Sequence, residues 1–186
     1  MASSHQLKNF DVFLSFRGED IHGGFVSHLY KALDQQGIQT FNDDNLHGGE
    51  NISEELLKTI ENSSTSIIVF SKNYAASSCC LDELAKIMEC RKKVECSQKV
   101  LPVFYQVDPS EVGNHTGNYG KELTKHEKEI EDKTKVQRWR EALTNAAEIS
   151  GCEYKDKDRY FYWTMYSCLL IFKIFNGSVM SIKFCC

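Results

Sequence analysis

The first residues suited to chemistry stand at the end of an apolar run near the start of the chain. Asp11–Phe16 is followed by Arg17 and Gly18, and a helical pattern begins soon after them. A guanidinium group beside free backbone N–H groups at a helix start can bind a phosphate. The pair therefore predicts an anion site, although an arginine before a helix is common and the signal is weak by itself.

Glu83 is the second residue of interest, because it lies in the first turns of a later helix that follows another apolar run. We expect its side chain on the side of that helix away from Cys80 and Leu84, facing the edge of the sheet where the strands end. The alternative is a solvated glutamate on a helix surface, which is the usual state of this residue type. From the residues alone, both interpretations stay open.

Composition and motifs exclude several classes of function. The 186 residues carry a formal net charge of -4 with a pI of about 5.9, so no nucleic-acid partner is expected. The sequence has no G-x-x-x-x-G-K-[ST] loop and no readable Ser/His/Asp triad, and its cysteines and histidines lack the spacing of zinc ligands. We therefore expect neither a P-loop NTPase nor a metal site.

The cysteines and the N-terminus indicate a reducing compartment. Cys79-Cys80 and Cys185-Cys186 are adjacent pairs, which suit a disulfide framework poorly, and no C-x-x-C pair occurs. Residues 1–9 lack the apolar segment of a secretory signal. We expect free thiols and a cytoplasmic or nucleo-cytoplasmic location.

Strands and helices must alternate to position these residues. Patterns at helical spacing separate four apolar runs that predict strands, at 11–16, 38–41, 66–71 and 100–105. The alternation predicts an α/β fold with a flavodoxin-like open parallel sheet of four to five strands flanked by helices. The fifth strand has no clear signal, and Pro102 indicates an edge strand or a strand start.

The carboxyl ends of such strands are where an open parallel sheet binds its ligands. Three of these ends are the segments 15–20, 42–44 and 71–74, and the last of them leads into the helix with Glu83. Because parallel strands all end at the same edge, the topology places the three segments on one rim, towards which the Glu83 carboxylate could point.

The two ends of the chain differ from its middle. We expect a disordered N-terminus at 1–8, a domain at 9–152 and an atypical apolar extension at 153–186. The extension holds a nearly continuous apolar run at 160–175, which is shorter than the roughly 20 residues of a membrane helix. A membrane anchor is therefore the less favoured alternative to a partly packed extension that exposes apolar surface.

Long motifs, in order and at regular spacing, resemble those of plant TIR domains, the Toll/interleukin-1 receptor-like domains of immune receptors. The resemblance covers about residues 9–152 and agrees with the fold predicted above. The motifs are DVFLSFRGED (11–20), SHLY (27–30), GIQTF (37–41), VFSKNYA (69–75), CLDEL (80–84), PVFY with VDPS (102–105, 107–110) and VQRWREAL (136–143).

The resemblance implies two activities: self-association during immune signalling, and cleavage of the nicotinamide–ribose bond of NAD+ or NADP+. The family's catalytic glutamate corresponds to Glu83, and the nucleotide is a substrate, so no cofactor is implied. A fixed carboxylate beside the anomeric carbon would stabilise the oxocarbenium-like ribose, as in glycoside hydrolysis. The cationic leaving group departs as neutral nicotinamide, so no strong general acid is needed.

The same resemblance assigns the remaining site residues. It implies that Arg17, Gly18, Ser71 and Cys79 contact the nucleotide, with Arg17 and Gly18 near the pyrophosphate or the nicotinamide ribose. Ser27 and His28 match the surface through which TIR domains associate with one another. The implied partners are NAD+ and other TIR domains, in homo- or hetero-oligomers.

Three positions depart from the family pattern. Cys79 stands where plant TIR domains carry a tryptophan, His22 stands where an arginine is frequent, and Gly48 replaces an arginine of the glycine loop. The loss of stacking and of cationic contacts predicts weak nucleotide binding, while the carboxylate of Glu83 remains. The alternative function is that of a TIR-only adaptor or decoy, which would act through TIR–TIR association with little or no catalysis.

Overall fold

The computed structural model describes residues 10–21, 24–42, 53–94 and 98–155. Within them, the strands are β1 (Val12–Phe16), β2 (Thr40–Asn42), β3 (Thr65–Phe70), β4 (Lys99–Tyr105) and β5 (Cys152–Tyr154). The helices of the same residues are α1 (Gly18–Ile21), α2 (Phe25–Gln35), α3 (Glu54–Glu61), α4 (Ser78–Lys92), α5 (Pro109–Gly113), α6 (Gly117–Glu129) and α7 (Lys133–Ala147), and a 3₁₀ turn lies at Tyr74–Ala76.

The strands of the described residues form one parallel sheet in the order β2-β1-β3-β4-β5. Helices precede or follow each strand, so the predicted α/β fold with an open, flavodoxin-like parallel sheet is confirmed. Since all strands run in the same direction, the segments after β1 and β3 leave the sheet at one rim, side by side.

Both faces of the sheet are covered, which is why β1 and β3 are continuous apolar runs rather than alternating ones. Val12 and Leu14 pack into the core on the side of α2, whereas Phe13 packs into the core formed with α3, α4 and α7. The alternation of side chains along a strand sends neighbours to opposite faces, so one short run supplies both cores.

The helix boundaries follow from local capping. Ser77 begins α4, because its hydroxyl accepts a hydrogen bond from the Cys80 amide at 3.3 Å. Ser53 caps α3 in the same way. Gly37 follows α2 with a φ of 71°, a left-handed conformation that glycine adopts without strain. The cap at Ser77 matters most, since it fixes where the helix with Glu83 starts.

The fifth strand and Pro102 differ from the sequence expectation. β5 is only three residues long, so it carries too little pattern to be recognised, and it pairs with β4 from Val103 onwards. The inference of an edge strand or a strand start at Pro102 is wrong, because β4 lies between β3 and β5 and Pro102 is inside it. Pro102 comes just before the β5 ladder, opposite Gly151, so its missing N–H is tolerated there.

The expected ends of the domain are only partly described. Residues 1–8 and 156–186 lie outside the described residues, and β5 continues past the expected boundary at 152, so the proposed division of the chain stays a prediction. Within the described ranges, Cys79, Cys80, Cys90 and Cys152 form no disulfide with one another. In those ranges, too, no helix has the length and apolar character needed to cross a bilayer.

Candidate active site

The ends of β1 and β3 bring together a buried cluster of oxygen atoms on the rim of the sheet. Ser15 of β1 donates a hydrogen bond from Oγ to Oε2 of Glu83 at 2.6 Å. The same Oγ lies 2.9 Å from the hydroxyl of Tyr74, which itself donates to the carbonyl oxygen of Cys80 at 3.0 Å. The strand end, the 3₁₀ turn and α4 therefore meet at one carboxyl group.

Glu83 does not lie where the helix pattern indicated. Its residue is only 5% exposed, so the alternative of a solvated glutamate is wrong. The expectation that it lies away from Cys80 is also wrong: both residues face β1, and the Cys80 thiol lies 3.6 Å from the Phe16 carbonyl oxygen. The two residues are three positions apart, which places them on the same helix face.

Burial and negative charge at this cluster raise the pKa values of its neutral members. Burial raises the pKa of Tyr74 well above its ordinary value, and its neighbours Cys80, which becomes charged only at high pH, and Glu83 add to the effect. Burial, followed by the charge of Glu83, likewise raises the pKa of the Cys80 thiol. Both groups therefore stay protonated at neutral pH, so Tyr74 acts as a hydroxyl and Cys80 is not a thiolate nucleophile.

Asp20 holds the segment after β1 against the segment after β3. Its Oδ2 accepts hydrogen bonds from the Ser71 hydroxyl at 2.5 Å and from the Asn73 amide at 3.0 Å, and its Oδ1 accepts from Asn73 Nδ2 at 3.1 Å. Ser71, expected to contact the nucleotide, thus uses its hydroxyl hydrogen in this clamp. The clamp fixes the relative position of the two segments that carry the site.

Arg17 lies beside the clamp with its guanidinium group partly exposed. It donates to the Asn73 carbonyl oxygen at 3.2 Å, forms an ion pair with Glu19, and has Nη1 3.8 Å from Asp20 Oδ1. Burial is the main reason for the raised pKa of Cys80; the negative charge of Glu83 raises it further and the positive charge of Arg17 lowers it, so both residues act at the same place. The arginine and the carboxylate predicted from sequence therefore share one end of the sheet.

The other predicted contacts with the nucleotide lie close by in the chain. Gly18 is buried and begins the four-residue helix α1, which is too short for a strong helix dipole. Cys79 is half-buried in the first turn of α4, four residues before Glu83. The contacts of Gly18, Cys79 and Ser71 with a nucleotide stay predictions.

The predicted self-association residues lie elsewhere, on α2. Ser27 is half-buried and His28 is exposed, with His28 Nδ1 2.8 Å from the carbonyl oxygen of Gly24. Tyr30, on the same helix, is one of the exposed large apolar side chains of the described residues. This surface is accessible and separate from the cluster around Glu83.

Ser15, Tyr74 and Asp20 were not singled out from sequence, although they lie inside the segments named there. The available signal was a hydroxyl in an otherwise apolar strand, because a polar side chain inside a run covered on both faces needs a partner. The segment 43–44 and two departures from the family pattern, His22 and Gly48, lie outside the described residues.

A different groove occupies the opposite side of α4. It has a volume of about 500 Å³ and lies between α3, α4 and α7, where Asp82 accepts a hydrogen bond from Trp139 Nε1 at 2.9 Å. Lys135 pairs with Asp82 at 2.9 Å and covers the Trp139 ring at 5.3 Å. Adjacent acidic residues on α4 thus have separate roles: Asp82 joins two helices, whereas Glu83 faces the sheet.

The chain is similar over most of its length to a known family of domains. The family model "TIR domain" matches residues 9–165. The chain is 54% identical over 151 residues to Disease resistance protein RPV1 of Vitis rotundifolia, covering 81% of this chain and 10% of that protein. It is 48% identical over 159 residues to TMV resistance protein N of Nicotiana glutinosa, covering 84% of this chain and 14% of that protein.

A solved structure gives the same result for the fold. The TIR domains of the activated Roq1 resistosome, which directly recognizes the pathogen effector XopQ, match with a TM-score of 0.77 and 47% identity, over 87% of this chain and 98% of that chain. The present chain spans about a tenth of the length of the curated relatives it matches. The match to the family model covers most of the sequence and includes the rim and α4, and the chain therefore belongs to the TIR domain family.

Proposed function

We propose that this protein hydrolyses the nicotinamide–ribose bond of NAD+ or NADP+, with Glu83 as the catalytic residue. The observation that supports it best is the position of the Glu83 carboxyl group, which is buried and held by Ser15 at 2.6 Å on the rim where an open parallel sheet binds ligands. Arg17 lies on the same rim, where its guanidinium would attract the pyrophosphate.

The chemistry needs few groups. When the bond between C1′ and the ring nitrogen breaks, its electron pair leaves with nicotinamide, and the ribose becomes an oxocarbenium-like cation. A carboxylate fixed beside C1′ stabilises this cation, and attack by water gives ADP-ribose (its 2′-phosphate from NADP+) and releases a proton. The leaving group needs no proton, so the protonated state of Cys80 and Tyr74 presents no obstacle.

The biological setting of the proposal is plant immune signalling in the cytoplasm. The similar proteins are named as disease resistance proteins, and the matching solved domains belong to an activated resistosome. We propose that this chain also associates with other TIR domains, through the surface on α2 that includes Ser27 and His28. Association would bring several sites together, and turnover is expected to rise with protein concentration.

The test is the release of nicotinamide, followed by chromatography, from NAD+ and from NADP+ with the full chain at high concentration. Glu83→Gln removes the negative charge at nearly constant shape and is expected to abolish release. Glu89→Gln is the matched control, because Glu89 lies on the same helix but is exposed and paired with Lys93. Release by the unaltered chain no greater than that by Glu83→Gln would refute the proposal.

A second candidate is a TIR-only adaptor or decoy with little catalysis, favoured by Cys79 at the position where the family carries an aromatic ring. It predicts capture of a full-length plant TIR receptor by the unaltered chain. The Ser27/His28 double alanine variant should lose capture, whereas a Thr124/Lys125 double alanine variant on the exposed face of α6 should retain it. Equal capture by the two variants would contradict association through α2.

A further inference from the structure

We propose that Ser15 and Tyr74 are positioning residues for Glu83, forming a relay of two buried hydroxyl groups that fixes its carboxyl group and stabilises the ionised form. This inference deepens the proposed function, on which its catalytic consequence rests. The relay itself is a property of the folded chain and can be measured without any turnover. It is carried by the three oxygen–oxygen contacts that run from Glu83 through Ser15 and Tyr74 to the Cys80 carbonyl.

The relay follows from counting hydrogens. Ser15 uses its only hydroxyl hydrogen in the bond to Glu83 Oε2. The hydrogen of Tyr74 then has two acceptors at nearly equal distance, Ser15 Oγ at 2.9 Å and the Cys80 carbonyl oxygen at 3.0 Å. When Glu83 is ionised, the Tyr74 hydroxyl hydrogen is therefore shared between Ser15 Oγ and the Cys80 carbonyl oxygen. The position of this hydrogen determines how strongly Ser15 donates to Glu83.

The sharing couples Tyr74 to the charge of Glu83. When the Tyr74 hydrogen points to Ser15, it polarises that hydroxyl and strengthens the bond from Ser15 to the carboxylate, because linked hydrogen bonds reinforce one another. The bond of 2.6 Å has the length of a charge-assisted hydrogen bond between oxygens. Tyr74 can stay in this role because its raised pKa keeps the hydroxyl hydrogen in place.

The hydroxyl groups of Ser15 and Tyr74 are buried, which makes the carboxyl group of Glu83 depend on them. Ser15 is 1% exposed and Tyr74 is fully buried, so water cannot replace either hydroxyl without opening the core. The Tyr74 ring also packs edge-on against Phe70 at 5.0 Å, which limits the positions its hydroxyl can take. A carboxylate supported in this way keeps its place while a cation develops next to it.

The other charged and titratable groups around Glu83 come from three elements. Tyr74 belongs to the 3₁₀ turn, Cys80 lies one helical turn earlier on α4 beside Cys79, and Arg17 follows β1. Arg17 is the positively charged group of this set, and the Cys80 thiol is neutral at neutral pH. The variants that test the relay therefore keep Arg17, Cys79 and Cys80 unchanged, so that a change in the titration of Glu83 reports the loss of the hydroxyl.

The experiment measures the titration of Glu83 directly. The full chain is labelled with ¹³C at the side-chain carboxyl carbons of glutamate, and the signal of Glu83 is the one lost in Glu83→Gln. Removal of a donor makes the carboxylate harder to form, so the titration midpoint should move to higher pH in Ser15→Ala. The expected move is about 1 to 2 pH units, from the usual strength of a hydrogen bond to a charged group. Tyr74→Phe should give a smaller move in the same direction.

Two controls separate the relay from general damage to the core. Ser66→Ala removes a buried strand hydroxyl that has no hydrogen-bond partner among the described residues. Tyr119→Phe removes a buried tyrosine hydroxyl, which donates to the Ser71 carbonyl oxygen at 2.8 Å and not to Glu83. Neither control should move the Glu83 midpoint, and circular dichroism will show which variants are folded.

The catalytic consequence is read from nicotinamide release. Both relay variants should lower kcat with little change in KM, and the acid limb of the pH–rate profile should move to higher pH, whereas Ser66→Ala should keep the original profile. If the unaltered chain releases no nicotinamide, the proposed function fails, and the carboxyl titration alone decides about the relay.

The outcomes are distinct. A higher midpoint in every relay variant that folds, with both controls unchanged, supports the inference. It is overturned if the midpoint stays the same in a folded relay variant or moves equally in the controls. It is also overturned if both relay variants unfold while the controls fold, because Ser15 and Tyr74 then act on the fold and not on the carboxylate.

Discussion

Replacing Cys79 by tryptophan should improve substrate binding. Cys79 lies four residues before Glu83 on α4, so the two side chains lie on the same helix face, one turn apart. The residue is half-buried, which leaves one side of a larger ring free to contact a flat nicotinamide or adenine group. The resemblance to plant TIR domains identifies this as the position of an aromatic residue in the family.

The size of the effect follows from the strength of stacking. One base on one aromatic side chain contributes about 1–3 kcal/mol, which corresponds to a factor of about 5 to 150 in affinity. Contact with a part of the substrate that does not change during the reaction lowers KM and leaves kcat nearly constant. We therefore expect the KM of Cys79→Trp for NAD+ to fall about 5- to 150-fold below that of the unaltered chain.

The assay is nicotinamide release over a range of NAD+ concentrations, with all proteins at the same concentration. Cys79→Leu is the matched control, since it adds apolar volume at the same place without an aromatic face. Equal KM values for the tryptophan and leucine variants would refute stacking as the reason. Nicotinamide release that persists when Glu83→Gln is combined with Cys79→Trp would refute the link between this surface and catalysis by Glu83.

The remaining predictions concern stability. Trp139→Phe removes the hydrogen bond to Asp82 and should lower the free energy of unfolding by about 1–3 kcal/mol in urea titrations; an unchanged midpoint would contradict it. Gly151→Ala places a methyl group 2.3 Å from the Pro102 carbonyl oxygen and should destabilise the fold by about 1–3 kcal/mol, whereas an unchanged melting temperature would show that β5 shifts freely. Burial lowers the pKa of His115 below 6.5, so folding favours its neutral form, and the free energy of unfolding should fall as the pH drops through 6.5 towards the lower folded value. His115→Asn should weaken this fall, and an equally steep pH dependence would assign it to other groups.

The strands and their direction could be predicted because their signals are local. The runs of β1 and β3 are apolar except for Ser15, Thr65 and Ser66, and helices at regular spacing separate them, which is typical of a parallel sheet covered on both faces. β5 escaped prediction for the opposite reason: three residues carry no period, and its place beside β4 depends on pairing between distant parts of the chain. The position of Pro102 inside β4 could not be recognised without that pairing.

The site was predicted in its parts but not in its geometry. The sequence identified Arg17 and Glu83 as chemically suited residues and placed their segments on one rim, and the structure brings both to that rim. The helical pattern predicted that Glu83 lies on the solvent side of α4, but its carboxyl group is buried against the sheet. The pattern of apolar residues does not show that the sheet offers a polar partner for a buried carboxylate. Only contacts between residues far apart in the chain could correct this.

Sequence by itself determined the fold class and the family, because apolar periodicity, capping residues and ordered motifs are local features that can be recognised without the structure. The tertiary structure alone decided that Ser15 meets both Glu83 and Tyr74, which lie 68 and 59 residues away from it in the chain. The physical reason is that a buried polar group must find a partner of suitable distance and direction. For Ser15, the packing of α4 and the 3₁₀ turn against β1 determines these partners, and no local sequence pattern predicts that packing.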